Sequence, residues 1–313
     1  MKGSTIRYGE DGGLEIIEID VADPGIGEVQ VVGGACGVCA WDLYTFKHGS
    51  KAPAAAPPGH EAVGTVLKVG PGVQGIQEGD RVTGGGFATV RNVKASSAYP
   101  IPPSDLPDAY WLVEPLACVV TGVDHCALRI GDRVAVVGCG FMGLLLVQCL
   151  ARSFADELIA IDLVAKRLEL AAEFGAQRTV QLGEPGADEA LAELKASGID
   201  CVVDCSGAQG GLDVSTELVK RGGRINLFGW VHGPVTFSGN AWHGGGYTVI
   251  NSSPAAKLRD TFPVAIRLID RGFVDTRAVV THVMPLDGMA GLLDGVVSGR
   301  QPDYIKGVIT LEA

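Results

Sequence analysis

The 313-residue sequence is poor in positive charge and has no long hydrophobic run. Its 25 Lys and Arg face 36 Asp and Glu, and the resulting net charge of −11 argues against nucleic acid or an anionic membrane as a partner. Its apolar runs fall short of the ~18 residues that a membrane-spanning helix needs. The N-terminus has no apolar signal core, so we expect a cytoplasmic protein.

Charged residues make up only 19% of the chain and apolar residues 47%, a composition that disfavours disorder. The eight cysteines, in a long chain without a secretory signal, are expected to stay reduced as core, metal-binding or catalytic thiols. Glycine is in excess: 45 residues are roughly twice the ordinary usage. This excess indicates many tight turns or close approaches of backbone to a ligand.

The length predicts about two domains. Roughly the first hundred residues favour an all-β domain, and alternating β and α segments follow, which is typical of a doubly wound parallel sheet. The predicted strands are Leu14–Ile19, Val29–Gly33, Ala62–Val69, Arg81–Thr83, Ala88–Arg91, Arg133–Val137, Leu158–Ile161, Cys201–Val203, Arg224–Phe228, Thr248–Asn251, Thr281–Met284 and Lys306–Leu311. The predicted helices are Gly143–Arg152, Ala165–Phe174, Gly211–Lys220 and Leu258–Asp270.

A G-x-G-x-x-G motif directly follows the predicted strand Arg133–Val137 and opens a helix, which is the context of a dinucleotide-binding loop. The first glycine makes the turn, the second lets the backbone approach a pyrophosphate, and the third permits close packing of helix on strand. The helix N-terminus adds free N–H groups and the positive end of its dipole. The motif residues are Gly138, Cys139, Gly140, Phe141, Met142 and Gly143.

An acidic residue stands where the adenosine ribose of a bound dinucleotide is expected. Asp162 ends the next strand, 19 residues after Gly143, and its carboxylate would bond ribose hydroxyls and repel a 2′-phosphate. Lys166, one helical turn later, offers a further ribose contact. We therefore favour NAD over NADP. The alternative is an ordinary surface aspartate at a strand end.

Two clusters in the β-rich part carry candidate metal chemistry, Gly37-Val38-Cys39-Ala40-Trp41-Asp42 and Gly59-His60-Glu61. With Gly79-Asp80-Arg81-Val82, Glu114-Pro115-Leu116 and the glycine motif in the same order, the chain resembles the medium-chain dehydrogenase/reductase family nearly from end to end. Within it, the likeness is to the zinc-type alcohol, polyol and threonine dehydrogenases. It implies a GroES-like β-barrel catalytic domain of residues 1–117 and 253–313 and an α/β Rossmann domain of residues 118–252.

The resemblance also implies the ligands of one catalytic Zn²⁺. Cys39 and His60 match ligand positions, and Glu61 matches an acid that lies beside the metal and ligates it in some states. Asp42 matches the acid that orients the ligand histidine. Glu114 matches the third ligand of the sorbitol and threonine dehydrogenase branch. Thiolate, imidazole and carboxylate with one open position describe a catalytic zinc site.

Simpler readings of these residues exist. Cys39 could be a core cysteine, Glu61 a surface acid and Glu114 an acid at a helix start. Cys36 and Cys39 form C-x-x-C, but no βαβ pattern surrounds them, so packing is the better explanation of Cys36. Cys205, like Cys118, is either a buried small residue or part of a nicotinamide pocket.

Three departures from the family pattern affect the expected chemistry. Trp41 replaces the hydroxyl residue that starts proton relay, and an indole N–H cannot accept a proton. Tyr44 occupies the place of the relay histidine. The four-cysteine lobe of the structural zinc is missing, since Thr83 runs directly into three glycines. We therefore expect a single, catalytic zinc and an altered substrate pocket.

The sequence thus favours an NAD-dependent oxidoreductase that moves a hydride between a secondary alcohol, polyol or sugar and the cofactor. Within enzymes, carbonyl or enone reduction, or a zinc-oriented reaction without net oxidation, is the alternative that Trp41 keeps open. Outside enzymes, a dinucleotide-binding regulatory protein remains. The resemblance further implies a homodimer through the sheet edge near Thr248–Asn251, with a tetramer less secure.

Overall fold

The structure is a computed structural model that describes residues 1–50, 58–231, 233–253 and 256–311. The chain forms two compact units, Met1–Pro115 with Ala265–Ala313, and Leu116–Val264. All eight cysteines are free thiols. None of the helices in the described part of the chain has the length and hydrophobicity that crossing a bilayer takes.

The strands of the described chain are β1 Lys2–Tyr8, β2 Leu14–Asp20, β3 Glu28–Gly37, β4 Glu61–Val69, β5 Arg81–Thr83, β6 Val90–Lys94, β7 Arg133–Val137, β8 Glu157–Asp162, β9 Arg178–Gln181, β10 Ile199–Asp204, β11 Val219–Leu227, β12 Thr248–Asn251, β13 His282–Pro285 and β14 Gly307–Thr310. The α-helices are α1 Ala40–His48, α2 Val113–Cys126, α3 Phe141–Leu150, α4 Ala165–Glu173, α5 Ala187–Ser197, α6 Gln209–Leu218, α7 Gly239–Gly245, α8 Phe262–Asp270 and α9 Met289–Val297.

The first unit is built on a sheet of order β13-β14-β3-β4-β5, with β6 paired to β3. The long strand β3 is its centre, because it pairs antiparallel with β4, β6 and β14 along its length. Strands β1 and β2 form a separate antiparallel hairpin. Apolar side chains that alternate along these strands form the core of the unit, among them Ile6, Val29, Val31, Val66, Val82 and Ile309, all below 3% exposed.

The second unit is a parallel six-stranded sheet of order β12-β11-β10-β7-β8-β9. Strand β7 is buried over Val134–Val137, as expected for a strand that helices cover on both faces. The strand order changes direction between β7 and β10, and in such sheets ligands bind beyond the carboxyl ends of the strands at that point. The glycine motif follows β7 and therefore lies at this place. The predicted doubly wound sheet is confirmed.

Two predictions from the sequence differ from the structure in the segment where the chain returns from the second unit to the first. The helix predicted to begin at Leu258 begins at Phe262, where Pro263 suits a first helical turn and the Asp260 carboxylate accepts a hydrogen bond from the Phe262 N–H at 3.2 Å. The second unit continues to Val264, beyond the expected boundary at residue 252. The His125 ring of α2 bonds the Ala256 carbonyl at 3.0 Å, and Arg259 pairs with Asp124 of α2 at 2.7 Å, so this segment is held on the second unit.

Candidate metal and dinucleotide sites

A thiol, an imidazole and a carboxylate converge in the first unit. The ligand atoms of Cys39, His60 and Glu61 lie within 4.8 Å of one another. Cys39 is the N-cap of α1, His60 immediately precedes β4, and Glu61 is the first residue of β4. Sequence reasoning selected all three residues, and the fold brings them together.

Strand pairing explains the convergence. The end of β3 pairs with the start of β4 through Gly37 and Glu61, and α1 begins three residues beyond Gly37. A Cβ at Gly37 would lie 2.1 Å from Glu61 Oε2. Glycine is therefore required here, because any larger residue would displace the carboxylate.

Asp42 braces the first turn of α1. It is fully buried, and its Oδ2 accepts a hydrogen bond from the Cys39 N–H at 2.8 Å while its Oδ1 accepts one from the Tyr8 hydroxyl at 3.0 Å. Burial raises the pKa of Asp42, and the hydrogen bonds to Cys39 oppose that shift. Asp42 thus orients the backbone of a candidate ligand. Its expected action on the His60 ring stays a prediction.

Lys306 is a residue of this site that the sequence did not reveal as functional. Its Nζ lies 2.5 Å from Glu61 Oε2 and donates to the Val38 carbonyl at 2.8 Å, and both charged side chains are below 5% exposed. A buried carboxylate is stabilised by a cation paired with it, and removing that cation leaves a charge without compensation. A lone lysine ahead of the apolar run Gly307–Leu311 is the signal that could have found it.

The other predicted residues of the first unit lie outside this cluster. Glu114, half-buried in the first turn of α2, is not a member, and its role as third ligand stays a prediction. Trp41 and Tyr44 are each 43% exposed on α1. The Tyr8 ring meets Trp41 edge-on with centroids 6.4 Å apart, and Tyr44 packs against His48 at 4.6 Å.

Burial sets the ionisation of the thiol in the metal-free protein. It raises the pKa of Cys39 well above its ordinary value, and the negative charges of Asp42 and Glu61 add to that shift. The negative groups at this site would be stabilised by a bound metal cation. The thiol, imidazole and carboxylate are also ligand types that Zn²⁺ prefers.

The glycine motif in the second unit has the geometry that its spacing predicts. Gly138 has φ +93°, and a Cβ there would lie 2.9 Å from the Ser206 N. A Cβ at Gly143 would lie 2.0 Å from the Gly138 carbonyl oxygen, so the third glycine permits the close packing. A Cβ at Gly140, the N-cap of α3, would meet nothing within 4 Å. The open space over Gly140 fits a pyrophosphate.

The remaining motif residues begin the helix of this site. Phe141 and Met142 form the start of α3, and both are half-buried. Cys205 directly follows β10, and its Cβ lies 3.6 Å from the position a Gly143 Cβ would take. Cys205 therefore lines the glycine loop, and its place in a nicotinamide pocket stays a prediction.

Asp162 also contacts the glycine loop. Its Oδ2 accepts a hydrogen bond from the Cys139 N–H at 2.6 Å, and its Oδ1 accepts one from the Val164 N–H at 2.8 Å. The carboxylate is buried, whereas Lys166 on α4 is exposed. Each carboxylate oxygen keeps another lone pair for a ribose hydroxyl. Asp162 therefore braces the loop, a task that the sequence did not reveal.

Comparison with known proteins gives a family match in each of the two units. Residues 25–103 match the family of alcohol dehydrogenase GroES-like domains, and residues 142–271 match the family of zinc-binding dehydrogenases. L-threonine 3-dehydrogenase of Pyrococcus horikoshii is 28% identical over 86% of this chain and 88% of its own. Sorbitol dehydrogenase of Gallus gallus is 28% identical over 88% of each chain.

A solved structure shares the whole fold. An Escherichia coli oxidoreductase/dehydrogenase of unknown specificity superimposes with a TM-score of 0.89 over 99% of both chains, at 24% identity. The architecture is thus that of a two-domain dehydrogenase, with a Rossmann unit and a GroES-like β-barrel unit, as the sequence predicts. The chain belongs to the zinc-type alcohol dehydrogenases of the medium-chain dehydrogenase/reductase family.

Proposed function

We propose that the protein is a zinc- and NAD-dependent dehydrogenase that interconverts a secondary alcohol, polyol or sugar with its carbonyl. The cluster of Cys39, His60 and Glu61 within 4.8 Å carries this proposal, in a chain that matches the zinc-binding dehydrogenase family. The names of the threonine and sorbitol dehydrogenase relatives support the substrate class. NAD, when bound at the glycine loop, would supply the hydride acceptor for the carbinol carbon.

The residues present fit one catalytic zinc. Cys39, His60 and a carboxylate supply the three protein ligands typical of such a site. Zinc, when bound, would supply Lewis-acid polarisation of the substrate oxygen. The absence of a cysteine-rich lobe between Thr83 and Phe87 supports a single zinc per chain.

Two carboxylates compete for the third ligand position. Glu61 is held by Lys306 in a buried ion pair, which favours Glu114 as the third ligand. In this arrangement Lys306 holds Glu61 beside the metal position, where Glu61 is available as a base for the alcohol proton. The residues proposed to act on metal and substrate are thus Cys39, His60, Glu114 and Glu61.

The alcohol proton needs a route that differs from the family pattern. Trp41 cannot accept a proton. Tyr44, in contact with His48, offers one route, and Glu61 or Glu114 offers the other. A Glu114→Gln variant with an unchanged pH–rate profile would argue against the part of Glu114.

Asp162 is proposed to select NAD. Its buried carboxylate sits beside the glycine loop, where a 2′-phosphate would meet negative charge. Lys166, exposed one turn into α4, is proposed to add a ribose contact. We therefore expect kcat/KM to be higher with NAD than with NADP.

The test is reduction of NAD and of NADP over a panel of polyols, aldoses, secondary alcohols and amino alcohols. The protein is assayed as purified, after chelation, and after reloading with Zn²⁺. Activity that chelation abolishes and Zn²⁺ restores supports the proposal. Activity with none of the alcohols, but turnover of carbonyls or enones, would replace it by the reductase alternative.

We also propose a homodimer. Strand β12 is an outer strand of the parallel sheet and pairs with β11 along one side only among the described strands. Its unpaired backbone groups suit the same strand of a second copy. Light scattering that gives the mass of a monomer at assay concentration would exclude this arrangement.

A further inference from the structure

The N-terminal hairpin, β1 and β2 with their turn, lies ahead of the residues 25–103 that match the GroES-like family. It nevertheless contacts the helix that follows Cys39. The Gly13 N–H donates to the Phe46 carbonyl at 2.7 Å, and the Ser50 N–H donates to the Gly9 carbonyl at 3.0 Å. The hairpin therefore fixes the C-terminal end of α1.

Tyr8, the last residue of β1, reaches the other end of α1. Its side chain is buried, its ring meets Trp41 edge-on, and its hydroxyl donates to Asp42 Oδ1 at 3.0 Å. Asp42 in turn accepts from the Cys39 N–H at 2.8 Å. Two hydrogen bonds therefore link a phenol to the backbone of a candidate metal ligand.

The hydroxyl, and not only the ring, matters in this chain. Asp42 has no exposed surface, so its carboxylate depends on protein donors. A phenylalanine at position 8 would fill the same space but remove the donor to Oδ1. The carboxylate would then be free to rotate away from the Cys39 N–H, and the first turn of α1 would lose its brace.

We propose that Tyr8 is a positioning residue of the metal site. Its hydroxyl fixes Asp42, and Asp42 fixes Cys39 so that Sγ stays within reach of His60 and Glu61. The inference rests on the proposed function, in that it takes Cys39 as a metal ligand. It extends the working site to a strand outside the matched family region.

The test compares Tyr8→Phe with Thr5→Val. Thr5 lies on the same strand and donates a buried hydrogen bond to the Phe87 carbonyl at 2.7 Å, which is not one of the bonds that link Tyr8 through Asp42 to Cys39. Metal-free proteins are titrated with Co²⁺ against a competing chelator, and the thiolate-to-cobalt absorption band is recorded. We expect Tyr8→Phe to weaken Co²⁺ binding about tenfold and to alter the band, as loss of outer hydrogen bonds does at metal sites. Thr5→Val should do neither.

A double-mutant cycle locates the effect. In an Asp42→Asn background, Tyr8→Phe should weaken Co²⁺ binding by less than about a further twofold, because both substitutions break the same chain of hydrogen bonds. If Tyr8→Phe does not fold, the inference is tested on wild-type protein labelled with fluorotyrosine. The fluorine resonance of Tyr8 should shift when Zn²⁺ is added, and that of Tyr247 should not.

Two outcomes overturn the inference. The first is a Tyr8→Phe variant that keeps the wild-type Co²⁺ affinity and absorption band. The second is a Thr5→Val variant that loses as much Co²⁺ affinity as Tyr8→Phe. Both leave the proposed function intact. A wild-type protein that shows no thiolate-to-cobalt band would instead remove the proposed metal site itself.

Discussion

The two candidate sites of this molecule are built in different ways, one from side chains and the other from backbone. The metal cluster consists of side chains from separate elements, braced by the buried charges of Asp42, Glu61 and Lys306. The dinucleotide loop consists of six consecutive residues whose backbone makes the site. The first site therefore depends on charge compensation, and the second depends on the absence of side chains.

The largest expected effect is on the metal cluster. Cys39→Ser should lose the zinc, with affinity reduced by more than about 100-fold, because a hydroxyl replaces the thiolate that Zn²⁺ prefers. Metal analysis of the purified protein measures it. Cys149→Ala, in the second unit, is the control and should keep the metal. One zinc per chain in Cys39→Ser would show that the metal is held elsewhere.

The next effect concerns the buried charge pair. Lys306→Met should lower the free energy of unfolding by ~3–5 kcal/mol, because Glu61 would be left buried and uncompensated. Urea unfolding of the metal-free protein measures it. Lys195→Met, which breaks the exposed pair with Glu217, should cost less than ~1 kcal/mol. Glu61→Gln added to Lys306→Met should restore part of the stability.

Equal losses in the two lysine variants would contradict this view. They would mean that the buried pair stabilises the first unit no more than a surface pair does. The metal cluster would then not rest on charge compensation, and its contrast with the glycine loop would disappear.

The smallest effects separate two glycines of the loop. Gly143→Ala should lower the free energy of unfolding by ~1–3 kcal/mol, since its Cβ would press on the Gly138 carbonyl. Gly140→Ala should lower the free energy of unfolding by less than ~1 kcal/mol, because alanine is a poorer N-cap than glycine. It should nevertheless weaken NADH binding about tenfold, because its Cβ would occupy the space of the pyrophosphate. Thermal unfolding and NADH fluorescence measure the two. Unchanged NADH binding in Gly140→Ala would mean that the pyrophosphate lies elsewhere.

Much of the fold follows from local pattern. Strands β5, β7 and β12 have the predicted bounds. Strand β7 is a compact apolar run, and β5 and β12 are short Val- or Ile-containing segments bounded by glycine- or serine-containing turns. Strand β1 and helix α1 were not predicted. Helix α1 mixes polar and aromatic residues without a clear apolar face, so no periodicity marks it. Its stability comes from the hairpin and the Asp42 cap.

The sequence by itself determined the dinucleotide loop and the candidate ligands Cys39 and His60. The loop could be found because adjacent residues make it, and the ligands because their motifs occur in family order. Only the tertiary structure decided that Lys306 pairs with Glu61, that Asp162 braces Cys139, and that Tyr8 bonds Asp42. These contacts join residues from 23 to 245 positions apart by burying charge, and no local pattern in the chain specifies such distant pairings.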